Sequence, residues 1–192
     1  QLYEDEVKDD KSAIKAYLAI LDAVGDEPSA LGALDRIYAR NQMWAELADV
    51  ISRQLTIVSP DEDRPRYLEL KYRLGEVREQ HLSDTENAVE AYRDVLELDP
   101  EHAKARTALE RHLGNSANPE LRIVAASILE PAYEQLGEWS HLVGVHEIQL
   151  AAEKDNPDTL RKASLLLRIG ELQRDKLADA ELAFDAFARC FA

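Results

Sequence analysis

Cysteine is almost missing from this sequence of 192 residues: Cys190 stands alone, so no intrachain disulfide and no cysteine-based metal site can form. Glycine and proline are scarce too, at 7 each. Few breakers in a chain rich in Ala, Leu, Glu and Arg favour helix throughout. No apolar run approaches the roughly 18 residues that span a bilayer, and no basic-then-apolar leader is present. Membrane insertion is therefore not expected. Positive charge is in short supply, with 23 basic against 38 acidic residues and a net charge of −15. Such a surface repels phosphate backbones, so nucleic acid is not an expected partner either. No Gly-rich phosphate loop, Gly-x-Ser-x-Gly or His-Glu-x-x-His occurs. No catalytic residue, cofactor or metal is expected, and the chain is not read as an enzyme. A lone cysteine fits a reducing compartment, and a cytoplasmic location is the expectation. The sequence begins at Gln1 without a methionine, which is compatible with an excised upstream segment.

What is present is repetition. With 45% hydrophobic and 32% charged residues the chain can bury a core. "LSDTENAVEAY" at 82–92 is written again, in variant form, as "VKDDKSAIKAY" at 7–17 and "LADAELAFDAF" at 177–187. Ala13, Ala88 and Ala183 align, as do Ala16, Ala91 and Ala186, and Tyr17, Tyr92 and Phe187. The steps are 88 − 13 = 75 and 183 − 88 = 95 residues. "RLGEV" at 73–77 returns as "RIGEL" at 168–172, and Trp44, Leu47, Gln54 and Leu55 return as Trp139, Leu142, Gln149 and Leu150, all 95 residues on. "ALDR" at 33–36 returns as "ALER" at 108–111, 75 on, so the extra 20 residues enter between about Arg111 and Tyr133.

The repeated unit is helical. Ala88, Val89, Ala91, Tyr92, Val95 and Leu96 recur at spacings of three and four, which sets them on one inward face. Asp9, Asp84 and Asp179 precede the three copies where a carboxylate can cap free N–H groups, with Ser83 and Glu86 as a rival capping box. "ELDPEH" at 97–102 stops one helix and starts the next.

These residues resemble the tetratricopeptide repeat, whose period is about 34 residues. Leu74-Gly75, Ala88-x₃-Tyr92 and Pro100 follow its pattern, and Ile169-Gly170 with Ala183-x₃-Phe187 follow it again. The likeness is clearest over 68–102 and 163–192. Lys71 and Arg78 stand where the family's first-helix aromatics would be, and the turn before Ala88 is one residue longer than the family's usual turn. The segments around Trp44 and Trp139 read as divergent copies, with Leu47 and Leu142 in the small-residue place and Tyr38 and Tyr133 on the preceding helix. The alternating style resembles very large bacterial repeat proteins.

The expected fold is all-α, with helices at 2–7, 10–24, 28–40, 44–58, 63–81, 85–98, 101–113, 119–136, 139–154, 158–176 and 180–191. The resemblance implies an α-solenoid of antiparallel helix pairs in a right-handed superhelix. A single domain over 1–192 divides into a partial unit 1–27, then 28–62, 63–101, an inserted or degenerate 102–122, 123–157 and a truncated 158–192. Helices 101–113 and 119–136 replace one helix of the earlier unit, so an irregular step is expected at 114–119. Pro131 is expected to kink or restart its helix near Glu130. Both ends cut through a repeat, leaving Leu2, Tyr3 and Val7 at one end and Phe184, Phe187 and Phe191 at the other. A piece of a longer array, able to stack end to end, is the expectation.

His81, His102, His112, His141 and His146 are expected at turns or on the surface. His141 and His146 lie five residues apart, about 140° around a helix, and do not share a face. "SPDEDRP" at 59–65 lacks a calcium loop's Gly and distal Glu and reads as a turn with an N-cap. Trp44, Trp139, Tyr17, Tyr92 and Phe187 are expected to pack between helices, and Cys190 to fill apolar space. The surface left for function is the family's concave groove. Projected onto this chain, it takes Arg36 and Arg40 from one helix, Arg111 at the place equivalent to Arg36, and Glu69, Tyr72, Glu76 and Glu79 from the next first helix. Glu171 and Arg174 come from a later one. Arg36 and Arg40 share a face and could receive a partner's carboxylates, or pair internally with neighbouring acids. The family's chaperone-tail clamp is missing. The leading expectation is a scaffold binding a protein or peptide. The alternatives are a self-assembling spacer and the recruiting arm of an enzyme whose catalytic domain lies elsewhere.

Overall fold

In the computed structural model, residues 10–115, 117–153 and 159–190 are described. They form ten helices and no strand: α1 (Asp10–Val24), α2 (Pro28–Arg40), α3 (Trp44–Ile57), α4 (Arg64–His81), α5 (Thr85–Leu98), α6 (Ala103–Leu113), α7 (Pro119–Leu136), α8 (Trp139–Ala152), α9 (Thr159–Asp175) and α10 (Ala180–Cys190). The expected helix at 2–7, the expected cap Asp9 of α1, the apolar residues Leu2, Tyr3 and Val7, and Phe191 lie outside the described residues.

The chain falls into two compact units, 1–91 and 92–192, with the division inside α5. In the first, α1 packs on α2, α2 on α3, and α3 on α4; in the second, α6 packs on α7, α7 on α8, α8 on α9, and α9 on α10. These helices rest on their chain neighbours, the arrangement of an α-solenoid.

The cores follow the apolar spacing. Leu31, Leu34, Tyr38, Leu47, Ile51, Leu70 and Leu74 form the centre of the first unit, with Trp44 and Tyr17 at its margin. In the second, Ala125, Leu129, Tyr133, Leu142, Val145 and Ile169 are buried. All six residues projected inward on α5, from Ala88 to Leu96, are buried.

The starts of the helices are capped by their sequence neighbours. Glu27 accepts the Ala30 N–H at 2.7 Å, Asp63 the Arg66 N–H at 3.2 Å, His102 Nδ1 the Ala105 N–H at 3.2 Å, and Asn118 the Leu121 N–H at 3.0 Å. Asp63 is the cap foreseen in "SPDEDRP". Asp179 takes the Leu182 N–H at 3.0 Å, whereas the Asp84 carboxylate takes the side-chain amide of Asn87 at 2.8 and 3.0 Å. The long turn before Ala88 is explained by Ser83, which adopts φ 55°, and by the Asp84 N–H reaching back to the Arg78 carbonyl at 3.0 Å. Ala178 and Asp179 repeat that turn, at φ 55° and 2.8 Å to the Gln173 carbonyl.

Two expectations need correction. α7 runs through Pro131 without restarting. Pro131 and Ser127 both face solvent, so the Ser127 carbonyl that loses its helical donor is left to water rather than orphaned in the core. His112 and His146 are not surface residues but 9% and 3% exposed. They lie on the inward faces of α6 and α8.

Candidate partner-binding surface

In the first unit the helices that carry the candidate residues are joined from beneath by a buried ion pair. Asp35, 7% exposed on α2, receives two hydrogen bonds from the Arg73 guanidinium of α4, at 2.6 and 2.8 Å. Gln54 of α3 donates to the same carboxylate at 3.0 Å. One carboxylate therefore ties three successive helices, and its burial is supported by charge-assisted, bidentate bonding. Arg36 and Arg40 are exposed on α2; Glu69 is exposed on α4, and Tyr72, Glu76 and Glu79 are half-buried there.

Several of these side chains already bind within the chain. Arg40 pairs with Asp10 of α1, whose carboxylate also takes the Asn41 amide at 2.6 Å. The Asn41 bond and then Arg40 hold the Asp10 carboxyl below its ordinary range. The Tyr72 hydroxyl donates to Glu76 at 3.2 Å.

In the second unit Arg111 and Glu171 are exposed, and Arg174 makes two bonds to Asp175, at 2.6 and 2.8 Å. Arg174 also stands 5.8 Å from the Phe187 ring. The position 95 residues after Asp35 is Glu130, which accepts the Gln149 amide at 2.7 Å just as Asp35 accepts that of Gln54. Here the wiring changes. Arg168, the counterpart of Arg73, pairs with Glu134 instead. His146 takes the place of Ile51, its Nδ1 3.2 Å from the Gln149 oxygen and 3.9 Å from Glu130, while its Nε2 is buried without a partner.

Further pairs fasten this unit. Arg106 donates to Glu138 at 2.5 Å, and Tyr133 to Glu110 at 2.8 Å. Burial, and then the bond to Glu110, push the Tyr133 hydroxyl far above the usual tyrosine range. The two tryptophans each carry a basic residue from the end of a following helix. His81 stacks on Trp44 with ring centres 3.7 Å apart, and Lys176, 95 residues later, sits 4.7 Å over Trp139. Packing is thus their structural role. Among the described residues no group of three or more His, Cys, Asp or Glu is placed to hold a metal ion, and no helix is long and apolar enough to cross a membrane.

A family model described as "Tetratricopeptide repeat" matches residues 30–65 and 125–160. These two matches support a tetratricopeptide repeat assignment for the segments they cover. The matches stand 125 − 30 = 95 residues apart, the internal step already seen, and each covers a pair of helices whose second opens with a tryptophan. They fall on the segments read above as divergent rather than on 68–102. The first match spans α2 and α3 and the second α7 and α8, five helices on. Tetratricopeptide repeats come as helix pairs, so an odd interval leaves one helix outside the pairing. Among curated proteins nothing matches the chain. Repeats of this family mediate protein–protein interaction.

Sequence reasoning missed Asp35 and Arg73 as the organisers of the first unit, and it missed the His146 cluster. Arg73, Arg168, Gln54 and Gln149 were all visible as repeated positions. Their pairing to Asp35 and Glu130 was not, because a helix on either side of a turn has no fixed rotational register in the sequence.

Proposed function

We propose that the chain is a non-catalytic scaffold whose exposed α2 and α4 surface receives a protein or peptide segment. Arg36 and Arg40 supply donors for carboxylates, and Glu69, Glu76 and Glu79 an acidic margin for cations. Arg111, Glu171 and Arg174 form a second contact set in the other unit. The observation that carries this reading is the Asp35–Arg73 pair. It joins α2 to α4 directly, so the exposed Arg36 and the half-buried Tyr72 beside it sit on helices fixed to one another, and ordering cost on binding is small.

The test is affinity capture from source lysate with wild type and Arg36→Glu/Arg111→Glu, folding of the variant being checked by circular dichroism. Arg40 is left intact because it clasps α1. A protein retained by wild type and lost by the variant supports the reading. The same proteins on both baits, or none, overturns it. A second reading, self-assembly, is favoured by the apolar side chains Ile20 and Val24 of α1 and Leu182 and Phe184 of α10, which are 42, 69, 51 and 75% exposed.

A further inference from the structure

Tyr38 and Tyr133 occupy the same place in the two copies, 133 − 38 = 95 residues apart, and both are buried, at 4% and 1% exposed. Tyr133 is closed from within. Its hydroxyl donates to Glu110 at 2.8 Å, and His141 lies against its ring with centres 5.1 Å apart. The Arg106 guanidinium, bonded to Glu138, is close enough to that hydroxyl to offset part of the rise that burial and Glu110 impose on it. Tyr38 has no such closure. Its hydroxyl makes no hydrogen bond with any described residue, and it is not sealed, so it reaches solvent.

What it reaches is a hollow of about 400 Å³ between α1, α2 and α3, within the range of about 300–1,000 Å³ usual for ligand sites. Leu18 of α1 and Ala45 and Val50 of α3 give it apolar sides. Glu46 and Asp49, three residues apart on one face of α3, give it two carboxylates. Their counterparts in the second copy are His141 and Gly144. Neither carboxylate bonds to or pairs with another described residue. Arg53, which also lines the hollow, is held by Asp26 at 2.5 and 2.7 Å, and Lys11 and Lys15 of α1 are exposed and pair with neither acid. Burial, and then the charges of Glu46 and Asp49, raise the Tyr38 hydroxyl above its ordinary value of 10.0. Two uncompensated acids therefore stand over a buried hydroxyl that has no partner.

We propose that this hollow binds a cation carried on an alkyl stem, an alkylammonium or alkylguanidinium group. The head donates its N–H groups to Glu46 and Asp49 and one to the Tyr38 hydroxyl oxygen, and the methylenes lie along Leu18, Ala45 and Val50. Bonds between charged groups are stronger than neutral ones, and a recess with apolar walls strengthens them over the same pairs in open water. The second unit supplies its own guanidinium beside the equivalent tyrosine; the first takes one from outside.

The test is an NMR titration of the whole chain near neutral pH with n-butylamine, n-butylguanidine and, as the uncharged control, n-butanol. The two cations should shift the amides of Leu18 and of Ala45 to Val50 saturably, and n-butanol should not. Glu46→Gln/Asp49→Asn, at two exposed side chains, should weaken binding about tenfold or more. Tyr38→Phe keeps the ring and should weaken it about fivefold, the worth of one hydrogen bond. Shifts spread evenly over the acidic surface, an equal response to n-butanol, or binding that survives Glu46→Gln/Asp49→Asn or is unchanged in Tyr38→Phe overturns the proposal. Spermidine and the blocked peptides acetyl-Gly-Lys-Gly-amide and acetyl-Gly-Arg-Gly-amide then separate a free polyamine from a protein side chain, the source being the one that saturates at lower concentration. Arg36→Glu/Arg111→Glu leaves the hollow intact, so the partner reading and this site fail separately.

Discussion

Asp35, Gln54 and Arg73 in the first unit, and Glu130, Gln149 and Arg168 in the second, occupy places 95 residues apart, yet they do different things. The shorter acid is clamped by its arginine and sealed. The longer one keeps only the glutamine; its arginine has moved out to Glu134, and a histidine has entered where an isoleucine stands in the first copy. The repeat position therefore keeps the acid–glutamine bond between two successive helices, while the arginine of the third helix is received by Asp35 itself in the first unit and by Glu134 in the second.

Breaking the arginines separates the two joints most sharply. Arg73→Met leaves the buried Asp35 carboxylate with Gln54 as its remaining partner, and should cost about 1.5–3 kcal/mol in chemical denaturation. Arg168→Met removes a pair whose side chains are 43 and 53% exposed, and should cost less than about 1 kcal/mol. Equal losses in the two variants would show that the joints are not distinct.

The histidine tests the same contrast from the opposite direction. His146→Ile removes the buried Nε2 that lacks a partner and restores the residue type of the first unit. Leaving such an atom unsatisfied costs about 1–3 kcal/mol, of which the lost contact to Gln149 returns part. The variant should melt a few degrees higher, about the shift that 1 kcal/mol gives a chain of this size. A lower melting temperature would mean that His146 holds Gln149 in place.

The turns offer a smaller, cleaner pair. Gln42 has φ 57° and its counterpart Gly137 has φ 69°. A side chain in that region costs about 1–2 kcal/mol, so Gln42→Gly should stabilise by nearly that amount and Gly137→Ala should destabilise by it. The second effect should be larger, since an added methyl meets the Trp139 ring at 3.4 Å. Melting curves of the two variants moving in one direction would refute the equivalence.

Acid should act weakly, at Glu138 of the second unit as at Asp10 and Glu27 of the first. The Arg106 bond, ahead of any other cause, holds the Glu138 carboxyl below its ordinary value of 4.5. A depressed folded pKa means that its stabilisation is complete above that ordinary value and disappears as pH falls through the folded one. Met43 stands in the equivalent place in the first unit and has no such dependence. Stability measured from neutral pH down into the acid range should therefore fall slightly less steeply for Arg106→Met than for wild type. An unchanged profile would count against the pair.

Much of the fold was legible because helix periodicity is local. All six inward residues of α5 were readable from their spacing, and the helix bounds moved by a residue or two at most. The turn chemistry of Asp63 and Asp179 was legible for the same reason. Arg40 was readable as a charged surface residue, but its clasp to Asp10 was not, since 30 residues and a helix rotation separate them. Pro131 misled because its cost depends on which side of the helix faces water. His146 misled because burial of a histidine depends on neighbours that a one-dimensional pattern does not show.

By itself the sequence determined the helices, their order, the 75- and 95-residue steps and the likeness to the tetratricopeptide repeat. These follow from spacing, capping and repetition along the chain. Only the tertiary structure decided that Asp35 meets Arg73, that Arg168 turns away from Glu130, and that Val89 is sealed in α5 while its counterpart Phe184 stands exposed on α10. Each of those depends on which helix faces rotate toward one another, and packing sets that rotation.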